Sequence, residues 1–300
     1  MKRLLPLILP LVLLAACGTP RTAQTAAQDV SAVQPERTPE EEEADAYAPL
    51  DSLLAEYFET LVPADIDVKI RECDFLISSC QDSLTRRHVA LRILDHYIDS
   101  NVMGEEAVAV HIFDEWIATG KIAMRGEFDY MAAEMFATFN RNTLLGVQAP
   151  VITLRDPDGN EVTMPREGET NVLYFFDTSC SKCRLVASML PGALDQIDFP
   201  LNLFAVYYGS DAQAWETFRK QFIFANENIH VIHLWDPEME SDYQRLYGVL
   251  TTPRIYVIEP QGSVIGRRLE VDSLVELLGY AGAIQAVYDQ YLKAPDHEKD

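Results

Sequence analysis

Two thiols three positions apart, in Cys180-Ser181-Lys182-Cys183, are the residues of this chain best suited to chemistry. Such a pair can ligate zinc or exchange disulfides. A tetrahedral zinc site needs four ligands, and no second Cys-x-x-Cys is present to complete one. His230 and His233 lie three apart on a predicted strand, so they point to opposite faces and chelate poorly. No metal and no cofactor is therefore expected. Disulfide exchange fits the surroundings better. A continuous apolar run, Val172 to Phe176, precedes the pair, and a predicted helix opens at it. A thiolate at a helix N-terminus is stabilised by the positive end of the dipole and by free backbone N–H groups. Helix geometry exposes the first thiol and tucks the second behind it. Cys180 is then the nucleophile that attacks a partner's disulfide, and Cys183 resolves the mixed disulfide. Lys182 adds positive charge and is expected to lower the thiol pKa further, while Asp177 opposes it. The balance places Cys180 nearer the value of about 7 found in a reductant than the value near 3.5 of a strong oxidant. A reducing or isomerising direction follows.

The elements that position this pair are legible along the chain. Three hundred residues, 48% apolar and 24% charged, make a globular composition with room for about two domains. The charge of −23 repels nucleic acid and anionic membrane surfaces, so no nucleic-acid partner is expected. Met1-Lys2-Arg3 followed by the apolar run Leu4 to Leu14 reads as a secretory leader, too short to span a bilayer. Residues 18–46 are rich in Thr, Ala, Gln, Pro and Glu and read as a solvated acidic tether. As a coil it would hold the folded part roughly 30 Å from a membrane.

From Pro49 to Asn142 the apolar spacing is helical, as in Leu50, Leu53, Leu54, Tyr57 and Phe58, and again in Val108, Ile112, Phe113 and Trp116. This predicts a small bundle whose Met and aromatic stripes, Met131 and Met135 among them, form core. The bundle shows no chemical motif and is expected to serve a client or partner. His88, His96 and His111 read as ordinary helix residues. Near Gly146 the period changes to strands. A hairpin turns over Asp156-Pro157-Asp158-Gly159, and buried strands run over Val172–Phe176 and Leu201–Tyr208. The first helix between them is expected to be interrupted at Pro191-Gly192. A helix over 215–224, a strand over 229–234, a second hairpin around Gly262 and two C-terminal helices, 273–278 and 283–292, complete the domain. The pattern is an α/β sandwich with a mixed sheet.

Cys73 and Cys80 are seven apart. In one helix their Cα atoms would lie about 10.5 Å apart, beyond the roughly 7 Å limit of a disulfide. Either they are separate thiols, which the apolar neighbours Ile70, Phe75, Leu76 and Ile77 favour, or the helix ends near Ser78-Ser79 and they bond.

These motifs carry two resemblances. Leu14-Ala15-Ala16-Cys17 resembles the lipobox of bacterial lipoproteins, which implies cleavage before Cys17 and its lipidation. The chain would then be anchored by lipid on the periplasmic side of the cell envelope, with the outer membrane expected. Residues 144–278 resemble the thioredoxin superfamily, nearest to TlpA-like membrane-tethered thiol–disulfide oxidoreductases. The marks are Gly146-Val147-Gln148-Ala149-Pro150, Leu173-Tyr174-Phe175-Phe176 leading into the cysteine pair, Tyr247-Gly248-Val249, and Thr251-Thr252-Pro253. The resemblance implies a thioredoxin-like α/β sandwich preceded by a small all-α domain. It also implies a cis Pro253 packed against the active site, and a Thr252 backbone that pairs with bound substrate. Two departures stand out. The buried acid that many relatives carry six residues before the first cysteine is Tyr174 here. The glutamate that cytochrome-maturation relatives often carry six residues after it is Val186. Both argue against fast exchange and a cytochrome-maturation role. Asp177, where peroxiredoxins place a threonine, argues against a peroxidase.

The expected organisation is a leader over 1–16, a tether over 17–46, a helical domain over 47–142, a thioredoxin-like domain over 143–280 and a helix and tail over 281–300. The expected function is extracytoplasmic thiol–disulfide exchange through Cys180 and Cys183, supported by Lys182, Thr252 and Pro253. Its partners would be protein disulfide or dithiol clients and a membrane electron donor. The alternative is a non-catalytic binding or scaffold lipoprotein that retains the fold.

Overall fold

The computed structural model describes residues 39–292. The leader, the lipobox with Cys17 and most of the expected tether lie outside them. The chain divides into a unit ending at Ser52 and a unit from Leu53 onward. Among the described residues the second unit holds the strands and, apart from the first turns of one helix, the helices.

That helix, α1 (Pro39–Leu61), corrects the tether. Residues 39–46 are helical because proline suits the first helical position and Glu and Ala are strong helix formers. Four more helices come after it: α2 (Ile66–Ser79), α3 (Ser83–Ile98), α4 (Glu106–Ile112) and α5 (Glu127–Asn140). A π-helical turn, Phe113–Ile117, extends α4. Asp82 caps α3 by accepting from the Thr85 N–H at 2.8 Å. Leu54, Phe58, Cys73, Ile77, Ile93, Tyr97, Val108 and Ile112 form the buried seam. Lys69 and Glu105 form a buried ion pair within it.

The second part is one seven-stranded mixed sheet in the order β2-β1-β5-β4-β3-β6-β7. The strands are β1 (Ile152–Arg155), β2 (Glu161–Met164), β3 (Thr170–Phe176), β4 (Leu201–Tyr207), β5 (Ile229–Trp235), β6 (Arg254–Ile258) and β7 (Val264–Arg267). β3 pairs parallel to β4 and antiparallel to β6, so it lies inside the sheet and all seven of its residues are buried. Helices α6 (Ser181–Ala193), α7 (Ala212–Gln221) and α9 (Val271–Leu292) accompany the short α8 (Tyr243–Leu246). One face of β3, Val172, Tyr174 and Phe176, packs with residues of α6, α7 and α9. The other, Leu173 and Phe175, packs with Tyr243, Tyr247 and Tyr256. This is the expected α/β sandwich behind a helical segment.

Local differences have physical causes. α6 runs through Pro191 to Ala193, where its missing N–H falls near the helix end and the C-cap bonds from Leu194 still form. The C-terminal segment is one helix, since Gly279 and Gly282 weaken a helix without ending it. α5 buries only its small residues Ala133 and Ala137 and Asn140, so Met131 and Met135 point outward rather than into a core. Gly248 shows why that helix can come so close. Its φ is +59°, and a Cβ there would sit 2.1 Å from the Phe139 carbonyl oxygen.

Candidate functional site

The interior strand β3 delivers the chain to the C-terminal ends of the parallel strands, and the loop 177–180 turns it into α6. Cys180 is the N-cap of that helix, with extended backbone (φ −77°, ψ 120°). Its sulfur accepts the Cys183 N–H at 3.2 Å and lies 3.5 Å from the Thr252 carbonyl oxygen. Both cysteines are free thiols. Cys180 is partly exposed, whereas Cys183 is 1% exposed and packs in the core between sheet and helix. Burial raises the Cys180 pKa, but hydrogen bonds from Cys183, Thr252 and the Lys182 N–H outweigh it, and the net shift is downward. Cys183 goes the other way. Burial pushes it up to about 11, with the neighbouring Cys180 sulfur adding to the rise. One thiol is thus shifted toward its anion and its partner is held protonated.

Thr252–Pro253 is a cis bond and adjoins Cys180 through that Thr252 carbonyl. A second cis bond, Met164–Pro165, was not signalled by the sequence. Lys182 is placed differently from expectation. Its ammonium pairs with Glu270 Oε1 at 2.7 Å, both groups largely exposed, so its charge is shared with a carboxylate and its main-chain N–H is what serves the thiolate. Asp177 is also occupied locally, accepting from the Ser179 N–H and hydroxyl at 2.7 Å each.

Two further residues shape the site, Arg184 without any sequence signal and Tyr174 at the position where the sequence showed a departure from a buried acid. Arg184 donates to the Thr178 and Ser179 carbonyls at 2.9 and 3.2 Å and so pins the loop before Cys180. Tyr174, fully buried, donates its hydroxyl to the Cys183 carbonyl at 2.7 Å. Burial raises its pKa well above that of an ordinary tyrosine, so it holds α6 in place as a neutral donor. A cavity of about 430 Å³ opens beside the pair, lined among others by Phe176, Thr178, Cys183, Arg184 and Phe218. His230 and His233 do not converge. His233 is largely buried and burial drives its pKa down to about 4. Among the described residues no group of three His, Cys, Asp or Glu side chains could hold a metal. Among them, too, no helix is long and apolar enough to cross a membrane.

The profile of the thioredoxin-like family matches residues 168–264, which span β3, the cysteine pair, the cis-proline loop and β6. None of the curated proteins compared with the chain matches it. Among solved structures, a thioredoxin-like protein from Bacteroides caccae aligns over 78% of this chain and 84% of its own, at 12% identity and a TM-score of 0.59. That likeness reaches beyond the sheet into the helical part and concerns the fold. The thioredoxin domain of a thiol-disulfide oxidoreductase from Bacteroides vulgatus aligns over 45% of this chain and 96% of its own, at 20% identity and a TM-score of 0.40. A thiol-disulfide oxidoreductase from Bacteroides fragilis aligns over 44% and 98%, at 18% identity and a TM-score of 0.39. The cysteine pair, the cis-proline loop and the family match thus all lie on one α/β domain, which is similar to the thioredoxin-like family over residues 168–264.

Proposed function

We propose that the protein is an extracytoplasmic thiol–disulfide oxidoreductase of the TlpA-like kind, working on the reducing or isomerising side. The observation that carries this reading is Cys180 at the N-cap of α6, its sulfur accepting a helix N–H while Cys183 stays buried and protonated. The Cys180 thiolate attacks one sulfur of a client disulfide. A mixed disulfide forms, and the client's other sulfur leaves as a thiolate that takes up a proton. Cys183 then loses its proton and attacks Cys180 Sγ. The client leaves as a dithiol, and the two electrons it gained leave a Cys180–Cys183 disulfide behind. A membrane electron donor with a dithiol would return the pair to its reduced state. Lipid at Cys17 would hold the protein on the periplasmic side of the cell envelope, at the outer membrane.

Tyr174 in place of a buried acid supports a second reading, a binding or scaffold lipoprotein that keeps the fold without turnover, because that position holds a hydroxyl donating to the Cys183 carbonyl rather than a carboxylate that could take the Cys183 proton. Reduction of insulin disulfides separates the two. Turnover above the uncatalysed thiol rate, with a measurable Cys180–Cys183 potential, supports the oxidoreductase. No turnover from a fully reducible pair would sink it.

A further inference from the structure

Beside the cis-proline loop the sheet and the helical segment enclose a cleft of about 350 Å³, lined among others by Phe136, Phe139, Leu250, Arg254 and Arg268. In a chain with 24 basic and 47 acidic residues it gathers an excess of guanidinium. Arg254 follows Pro253 directly. Its Nη2 donates to Thr251 Oγ1 at 2.9 Å, and its buried Nε has no hydrogen-bond partner. Among the described residues no ion pair holds it. Arg268 donates to Asn140 Oδ1 at 2.5 Å and shares the Glu106 carboxylate, at 3.6 Å, with the buried Arg267, at 3.7 Å. Nε of Arg268 is likewise buried without a partner. Two arginines therefore divide one carboxylate while a third has none. Of the acids at the cleft, Asp95 is held by Arg125 at 2.5 Å and Asp129 remains. Burial, and after it the nearby charge of Arg268, pushes the Arg254 pKa down, the mark of a cation short of a counter-ion. A buried charge normally has a partner, and an arginine fork suits a carboxylate.

The rim gives the occupant its form. Met135 and Leu250 line the cleft and are 51% and 52% exposed, and Phe128 and Met131, 88% and 55% exposed, continue the Met135 face of α5 beyond it. Flexible methionines beside aromatic and aliphatic surface suit a peptide of variable sequence. Leu250 and Arg254 each stand two residues from Thr252, whose carbonyl meets Cys180. A chain held at Cys180 covers about 3.3 Å per extended residue, so the residues flanking its cysteine come within reach of the cleft.

We propose that this cleft is an anion subsite that takes a carboxylate side chain carried by the client close to its disulfide. The proposal rests on the oxidoreductase reading for its occupant. It can be tested apart from that reading. Two peptides are made that differ only in glutamate or glutamine on both flanks of one cysteine position. Binding is read by fluorescence anisotropy with that cysteine replaced by serine, so no redox step is involved. The full-length protein is expected to bind the glutamate peptide about tenfold tighter, as one charge-assisted pair in a partly buried site gives. In Arg254→Gln the preference should fall to about twofold or less, and in Arg254→Lys, which keeps the charge, an intermediate preference should remain. Equal binding of both peptides by the wild type overturns the subsite whether or not the variants fold. A preference that survives intact in folded Arg254→Gln overturns its placement at this cleft. The same peptides as disulfides then separate the two readings. Reduction of both at equal rates with equal binding ends the subsite and leaves the oxidoreductase. A binding preference for glutamate with no reduction of either leaves the subsite and ends the oxidoreductase.

Discussion

The chain has two regions with a pair of cysteines, and the two ends of a helix separate their chemistry. Cys80 is the C-cap of α2, where its thiol donates to the Leu76 carbonyl at 3.4 Å. Cys180 is the N-cap of α6, where its sulfur accepts the Cys183 N–H at 3.2 Å. At a C-terminus the free backbone groups are carbonyls, which hold a thiol protonated; at an N-terminus they are N–H groups, which favour a thiolate. The pKa directions agree. Burial and then Asp82, against Arg86, leave Cys80 above its ordinary value, while Cys180 lies below. Their partners differ less. Cys73 and Cys183 are both buried and pushed up, to about 12 and about 11. What separates them is what lies within reach, for Cys183 sits one helical turn behind the Cys180 sulfur, whereas Cys73 lies in the middle of α2, away from the Cys80 cap.

The largest effect expected from breaking this contrast is on turnover. Cys180→Ser should lower insulin reduction by about three orders of magnitude, since losing a nucleophile removes the whole chemical step. Cys80→Ser should leave it within about twofold. Comparable losses from both would end the distinction. Next comes trapping. Cys183→Ser should accumulate mixed disulfides with client proteins on non-reducing gels, and Cys180→Ser almost none. Equal trapping would overturn the assignment of the nucleophile.

The pH dependence of alkylation sharpens the comparison within one sample. Monitored by mass spectrometry, Cys180 should react with a midpoint below the 9.0 of an ordinary thiol, and Cys183 near 11. Cys73 should not react until about 12. A Cys180 midpoint above that of Cys80 would refute the role given to the helix termini. Stability has its own sign. The folded Cys73 pKa is raised from 9.0 to about 12, so its contribution is fully present below pH 9.0 and fades as pH climbs through that window. Chemical denaturation of Cys73→Ala should show a loss of about 1–2 kcal/mol at neutral pH and a flatter alkaline decline than wild type. A parallel decline would mean that Cys73 does not titrate there. The smallest effect concerns Lys182. Glu270→Gln should release its ammonium and lower the Cys180 midpoint by at most a few tenths of a pH unit, because the pair is exposed. A rise would contradict the arrangement.

What sequence could reveal divides along the reach of the interactions. The cysteine pair was legible because an apolar run, a Cys-x-x-Cys and a helical period succeed one another within a short stretch. The buried strands were legible because central strands are apolar on both faces. The strand interiors and most helices therefore lie where periodicity put them. The boundaries that moved, at Pro39, at Pro191 and across Gly279, are places where a local breaker met a strong neighbouring context.

Tertiary structure alone decided the rest. It aims Lys182 at Glu270, 88 positions along the chain, rather than at the thiol. It brings the Thr252 carbonyl, 72 positions away, to the Cys180 sulfur. It turns Met131 and Met135 outward, because α5 packs against α4 and α8 and buries only Ala133, Ala137 and Asn140, the last of which accepts from Arg267 of β7 at 2.6 Å. A sequence carries the period of each element and the chemistry of each residue, and these determined which elements form and which thiols could react. Which distant carboxylate, carbonyl or guanidinium meets them depends on how sheet and helices pack, and no local spacing encodes that.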